Sequence, residues 1–264
     1  MQGFLPKTVP AKLYSIQSES CDRIAEICSN LPKLLLTEKV QSTINKLSEN
    51  DLSIDDLLIN QANSDLKLAM SHLSFIAHAY IWGDSTPNDS IPKVLANPWV
   101  KAAENQGRPP ILSYASYCLD NWFLIDQDEP ISLENVGLIN NFLGGVDEDW
   151  FVTIHVCIED AASDAIAACS EIAMLDLDCA ESETTALLER IIASMKKVNK
   201  IFARMPEKCD PYIYYHRVRP FIFGTKDNPD LENGLIYKGE FGDQPQFFRG
   251  ETGAQSSIIP SLDG

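Results

Sequence analysis

The sequence predicts an all-α protein, and three observations carry that reading. Apolar residues recur at spacings of three and four along most of the chain. Alternating, strand-like segments are few and short. Clusters of glycine, proline, asparagine and aspartate punctuate the periodic segments, as at Gly83–Asp89 and Asn105–Pro110.

Taken in order, helices are expected over Ser18–Leu31, Glu38–Leu47 and Ser64–Trp82, the third with Leu66, Ala69, Leu73, Ile76, Ala77 and Tyr80 on one face. Another begins at Tyr114, after the Asn105–Pro110 breaker. The chain turns polar at Gln127–Pro130 and glycine-containing at Gly144-Gly145, which puts a domain boundary near Asn140. Residues 1–140 are then a small N-terminal helical domain and 141–264 part of a second, larger one. A long helix follows over Asp147–Leu175, with Asp147, Glu148 and Asp149 favouring the positive end of its dipole. The next is capped by Ser182 and runs through Leu187, Leu188, Ile191, Met195, Val198 and Phe202 to Pro206. An aromatic segment, Tyr212–Phe221, ends at Gly224, and an irregular loop of small and hydroxyl residues closes the chain.

Composition narrows the function. With 45% hydrophobic and 22% charged residues among 264, this is an ordinary globular chain. No apolar run approaches the ~20 residues needed to span a bilayer. The first residues, Met1–Lys7, lack the apolar stretch of a secretory signal, so a cytoplasmic protein is expected. A net charge of −17 makes phosphate backbones and anionic lipid surfaces repulsive, which removes nucleic acid and membrane as partners. Seven scattered cysteines without a CxxC pair read as reduced thiols.

Three constellations carry chemistry. Phe151, His155 and Glu159 lie four apart and share one helical stripe. A histidine flanked by Ile154 and Val156 is, by itself, more often a core residue than a catalytic one. Tyr214, Tyr215 and Arg219 combine aromatic faces with a guanidinium, which presents a planar, permanent charge to a carboxylate. In the closing loop, Gly250 and Gly253 allow close backbone approach, while Thr252, Gln255, Ser256 and Ser257 can hydrogen-bond a ligand. Tyr114, Tyr117 and Cys118 share a further face. No Lys-Ser/Thr follows the loop glycines, and GxSxG, HExxH and DxDxDG patterns are absent, which excludes a P-loop and most hydrolase and metalloenzyme readings.

The closing loop Phe247-Phe248-Arg249-Gly250-Glu251-Thr252-Gly253-Ala254-Gln255-Ser256-Ser257, read with Arg108–Ala115 and Asp120-Asn121-Trp122, resembles the haem-dependent indoleamine 2,3-dioxygenase family from about Leu66 onward. The resemblance implies haem b, dioxygen and L-tryptophan or a related indoleamine, with opening of the indole C2–C3 bond to N-formylkynurenine in the kynurenine pathway. It implies that His155 faces the indole N–H, where many members carry serine and tryptophan 2,3-dioxygenases carry histidine. Phe151, Tyr114, Tyr214 and Tyr215 would wall the substrate slot, the two tyrosines standing on a phenylalanine pair of the family. Arg219 would clamp the substrate carboxylate. Thr252 and Gly253 would meet the substrate's amino-acid end, and Gly250, Thr252, Gly253 and Ser256 the haem.

The resemblance also implies a proximal iron-binding histidine, and none of His72, His78 or His216 suits that role. The chain is therefore expected to be a C-terminally incomplete member of the family, with a truncated haem domain, no metal ligand of its own and a monomeric state. Two alternatives stand beside the dioxygenase: a relative that oxidises another indole or carries dioxygen, and a non-catalytic helical remnant in which His155, Arg219 and Thr252 are scattered.

Overall fold

A computed structural model describes residues 3–175 and 181–263 and is mostly helical. The first helix, α1 (Glu19–Ser29), is capped by Ser18, whose hydroxyl accepts from the Cys21 amide at 3.2 Å. Short helices α2 (Leu31–Leu36), α3 (Val40–Ile44) and α4 (Asp55–Ile59) follow. The helix expected over Glu38–Leu47 shrinks to α3 because Glu38 takes a left-handed φ of 52°, which no helix continues through.

At the centre lies α5 (Asn63–Trp82). The sequence reading gave it one apolar face, yet every residue from Leu68 to Trp82 is buried. The reason is its neighbours: α1 to α4, α6 (Lys93–Asn105), a π-helical turn at Ala115–Leu119 and a 3-10 turn at Arg219–Ile222 pack around it. A helix walled on all sides gains from apolar or partnered residues all round. Its one buried carboxylate is matched: Asp65 accepts from the Ser15 and Ile16 amides and the Ser15 hydroxyl at 2.8–3.1 Å.

Strands are brief. β1 (Ser90–Ile91) runs parallel to β4 (Ile236–Tyr237), and β2 (Trp122–Leu124) pairs antiparallel with β3 (Val136–Leu138), Trp122 opposite Leu138. The position near Asn140 falls in the connection 139–145 between β3 and α7 (Val146–Ile172). Its backbone is tied down, since the Asn140 amide donates to Asn121 Oδ1 at 2.8 Å and Asn121 Nδ2 donates back to the Asn140 carbonyl at 2.9 Å.

The hairpin of α7 with α8 (Glu181–Phe202) forms the second half of the described fold. Ser182 is the second residue of α8 rather than its cap. Burial is continuous from Leu5 to Tyr237, and a separate apolar seam of Trp150, Ile154, Cys209, Tyr214 and Val218 joins α7 to the segment after α8. That segment comprises α9 (Pro211–Ile213), a π-turn at Tyr214–Val218 and the Arg219–Ile222 turn, and the described chain ends with α10 (Ile258–Asp263). Cys21, Cys28, Cys118, Cys157, Cys169 and Cys209 are unpaired thiols, while Cys179 lies outside the described residues. No described helix is long and apolar enough to cross a membrane.

Candidate functional site

Three pieces of chain converge: the middle of α7, the turns after Tyr114 and Tyr214, and the loop 250–257. On α7, Phe151 and His155 stack one turn apart with ring centroids at 4.2 Å. On its other side Phe151 stacks on Tyr214, also at 4.2 Å and with planes 21° apart. Tyr114 meets His155 edge-on at 5.9 Å. The Tyr117 and Tyr214 hydroxyls approach to 3.5 Å. The Tyr114 helix expected from the sequence is the five-residue π-turn Ala115–Leu119, a widened turn of the kind frequent at functional sites.

His155 is prepared as an acceptor. Its Nδ1 lies 2.8 Å from the Phe151 carbonyl, which can only accept, so Nδ1 carries the proton and Nε2 is bare. Burial lowers its pKa, the Phe151 contact opposing, so the neutral ring persists at physiological pH. Across from Nε2 sits Gly253, where a Cβ would be 3.5 Å away. Both residues line a cavity of about 400 Å³, walled also by Tyr114, Ile158, Met195, Val198, Phe202 and Ile258. Its walls are chiefly apolar, with His155, Asn199 and Ser256 among the polar points.

The closing loop is held from two directions. Gln255 Oε1 accepts from the Tyr114 amide at 2.7 Å, and Gln255 Nε2 donates to the Gly250 carbonyl at 3.0 Å. Glu159 Oε1 accepts from both the Tyr114 hydroxyl at 2.9 Å and the Ser256 hydroxyl at 2.7 Å. At the other end, Gly224 and Gly250 pass backbone to backbone: a Cβ on Gly224 would stand 2.1 Å from the Gly250 amide nitrogen. The Glu251 amide donates to the Ile222 carbonyl at 3.2 Å. Thr252 is exposed, and its hydroxyl accepts from the Ala254 amide at 3.3 Å, capping a 3-10 turn.

Arg219 and Tyr215 are exposed, the guanidinium carbon lying 5.5 Å over the tyrosine ring. Arg219 makes no ion pair among the described residues. Its charge reaches the loop through Glu251, whose buried carboxyl has its pKa raised to about 7 by desolvation, with Arg219 opposing. Of the residues predicted from sequence, Tyr114, His155, Gly253 and Ser256 line the cavity, Phe151 and Tyr214 stack beside His155, and Tyr215, Arg219 and Thr252 are exposed outside its lining.

One residue escaped the sequence reading. Glu251 sits between Gly250 and Thr252 in a loop whose glycines and hydroxyls drew the reading, and its burial accompanies the backbone contacts of Gly250 with Gly224 and of Glu251 with Ile222. Glu159 was visible by spacing, but its part in tying Tyr114 to Ser256 was not. Among the described residues no group of three or more histidine, cysteine or acidic side chains could hold a metal ion.

A family model described as indoleamine 2,3-dioxygenase matches residues 1–264, the whole sequence. The chain belongs to the indoleamine 2,3-dioxygenase family. It is 34% identical to the indoleamine 2,3-dioxygenase of Saccharomyces cerevisiae over 99% of this chain and 58% of the yeast protein. It is 35% identical to indoleamine 2,3-dioxygenase 1 of Rattus norvegicus over 90% of this chain and 57% of that protein. A 6-hydroxytryptophan 2,3-dioxygenase of Fusarium equiseti is 27% identical over 99% of this chain and 63% of its own length. The chain therefore spans a little over half the length of these family members.

Proposed function

We propose that this chain forms the substrate-facing half of a haem-dependent dioxygenase that opens the indole C2–C3 bond of tryptophan, giving N-formylkynurenine. The observation that carries the reading is His155: a neutral imidazole with bare Nε2, aimed into an apolar cavity across from a residue with no side chain. Such an acceptor suits an indole N–H and would orient the ring by one hydrogen bond. Phe151, Tyr114, Tyr214 and Tyr215 supply the aromatic walls, and Arg219 takes the substrate carboxylate.

Haem b fits this half. Gly253 carries no side chain into the cavity, and Ile158, Met195, Val198 and Phe202 give it an apolar lining suited to a porphyrin face. Gly250, Thr252, Gly253 and Ser256 would lie along its edge. When bound, haem supplies the oxidation chemistry that places both atoms of dioxygen on the indole. Of the four histidines, only His155 lines this cavity. His78 has both ring nitrogens engaged, His72 is bonded to Tyr14, and His216 lies exposed against Tyr212 and Tyr215. The reading takes the axial ligand from the portion of the family that this chain does not span, and assigns a cytoplasmic monomer.

A second substrate is favoured by one comparison. The Fusarium relative is named for 6-hydroxytryptophan, and the hydroxyls of Tyr117 and Tyr214 beside Phe151 could receive a ring hydroxyl. Haem titration separates these ideas from a bare fold. The 264-residue chain should retain haem weakly, whereas the protein at the length of its relatives should bind it and convert tryptophan to N-formylkynurenine. A tight, histidine-ligated spectrum from 264 residues would remove the proposed division of labour. Absence of product from the longer, haem-loaded protein would remove the dioxygenase.

A further inference from the structure

Glu251 buries a carboxyl oxygen without a partner within the electrostatic reach of Tyr114, Tyr214 and Arg219. It is 9% exposed, and its Oε1 is fully buried with no hydrogen bond. The backbone gives it no freedom to leave. Gly224 and Gly250 approach too closely for a Cβ on either, and the Glu251 amide is bonded to the Ile222 carbonyl. Thr225 accepts from the Phe248 amide at 2.9 Å and donates to the Gln246 carbonyl at 3.1 Å, fixing the approach to the loop.

Five titratable or charged groups face this carboxyl. Tyr114, Tyr117, Cys118 and Tyr214 all have pKa values raised by burial, with the Glu251 charge adding to each. Arg219 is the fifth and the one cation. Four of the five are neutral at physiological pH, so they offer a buried carboxylate no counter-charge. Arg219 points outward over Tyr215 and makes no salt bridge with Glu251 among the described residues. A buried carboxyl with an unsatisfied oxygen costs stability, and such a cost at a site is the mark of a ligand contact.

We propose that Glu251 is a substrate-binding residue whose free Oε1 accepts from the α-ammonium of an amino-acid substrate, while Arg219 takes its carboxylate. The inference rests on the dioxygenase reading above and adds to it a group that selects for a zwitterion. Two opposite charges, one on the Arg219–Ile222 turn and one on the loop, match the two ends of an amino acid and favour it over ligands carrying one end alone. Glu251 acts in its ionised form. Its protonation as pH falls through about 7 removes the acceptor for the ammonium.

The test uses the haem-loaded protein at the length of its relatives, with calorimetric binding of L-tryptophan, tryptamine (ammonium only) and indole-3-propionate (carboxylate only). Glu251→Gln should weaken tryptophan and tryptamine roughly tenfold or more, the scale of a lost charge-assisted bond. Its affinity for indole-3-propionate should hold within about twofold, which also shows that the variant is folded. Arg219→Gln should give the converse pattern. Wild-type affinity for tryptophan should fall as pH is lowered from about 8 to 6, and Glu251→Gln should lose that dependence. Equal weakening of all three ligands, or an unchanged tryptophan affinity in Glu251→Gln, would overturn the assignment while leaving the dioxygenase reading intact. Failure of the wild type to bind tryptophan at all would remove both.

Discussion

The surroundings of α5 and those of α7 solve the same problem differently. Both bury histidines and carboxylates. Around α5 the buried carboxylate and the two histidines are partnered within the protein: Asp65 has four hydrogen bonds, and Ser71, Ser74, His72 and His78 each have at least one, while Trp82 Nε1 and the Ser116 hydroxyl are the exceptions. Across α7 and the closing loop, Glu159 Oε2 and Glu251 Oε1 are buried and unpaired, and His155 keeps one nitrogen bare. A carboxylate buried without a partner costs more than a lone indole N–H or hydroxyl, so the carboxylate of the first region is satisfied within the chain, whereas those of the second are left open to a ligand.

The sharpest way to break that contrast is a pair of histidine truncations. His78 Nδ1 donates to the Phe221 carbonyl at 2.7 Å, and its Nε2 accepts from the Leu112 amide at 2.9 Å, in a site of zero exposure. His78→Ala strands two buried backbone groups and opens a cavity, so it should destabilise by about 4 kcal/mol in denaturant unfolding. His155→Ala removes a bond to a carbonyl one turn back in its own helix and faces an existing cavity. It should cost about 1 kcal/mol or less while abolishing oriented indole binding. Comparable stability losses would show that His155 is as structural as His78.

A second prediction concerns pH and lies on the α7 side. Glu251 has a folded pKa raised to about 7 by desolvation, above its unfolded value of about 4.3. The folded state therefore holds its proton more tightly, and stability is lost as pH rises from the unfolded value through about 7. Glu251→Gln mimics the protonated form. It should match wild type near pH ~4.5 and exceed it by up to roughly 3 kcal/mol at pH ~8, read from denaturation midpoints. His78 shows the opposite sign: burial depresses its pKa to about 4, so its contribution is lost as pH falls. A flat difference between Glu251→Gln and wild type would mean that Glu251 is solvated, and the contrast between the regions would fail there.

This difference also explains what could be read from the sequence. Helices α1, α5, α7 and α8 were legible because their apolar periodicity is a local signal. The burial of α5 on all sides was not, because it depends on elements far away in the chain. In the site, Phe151, His155 and Glu159 could be grouped by their four-residue spacing, and Arg219 by its aromatic neighbours. Glu251 could not. Its burial accompanies a contact with Gly224, 27 positions away, whose backbone packs on Gly250. Likewise the Tyr114 hydroxyl meets Glu159 across 45 positions. Spacing reveals what one helix presents, whereas convergence of separate segments needs the fold.

The smallest expected effect is the most discriminating. Gly253 lies in an exposed turn without a left-handed φ, and a Cβ there meets only His155 Nε2, at an ordinary 3.5 Å. Gly253→Ala should therefore change stability by less than about 0.5 kcal/mol. In a region built only for packing, so mild a change would have no other consequence. Here the added methyl stands against the one free nitrogen of His155 and narrows the cavity in front of it. Tryptophan affinity of the haem-loaded, full-length protein should drop by roughly fivefold or more, the cost of displacing an indole N–H from its acceptor. The same substitution at Gly224 would drive a methyl into the Gly250 backbone and act on the fold itself. An unaltered affinity in a stable Gly253→Ala protein would mean that the indole lies elsewhere, leaving His155 facing a cavity that the substrate does not use.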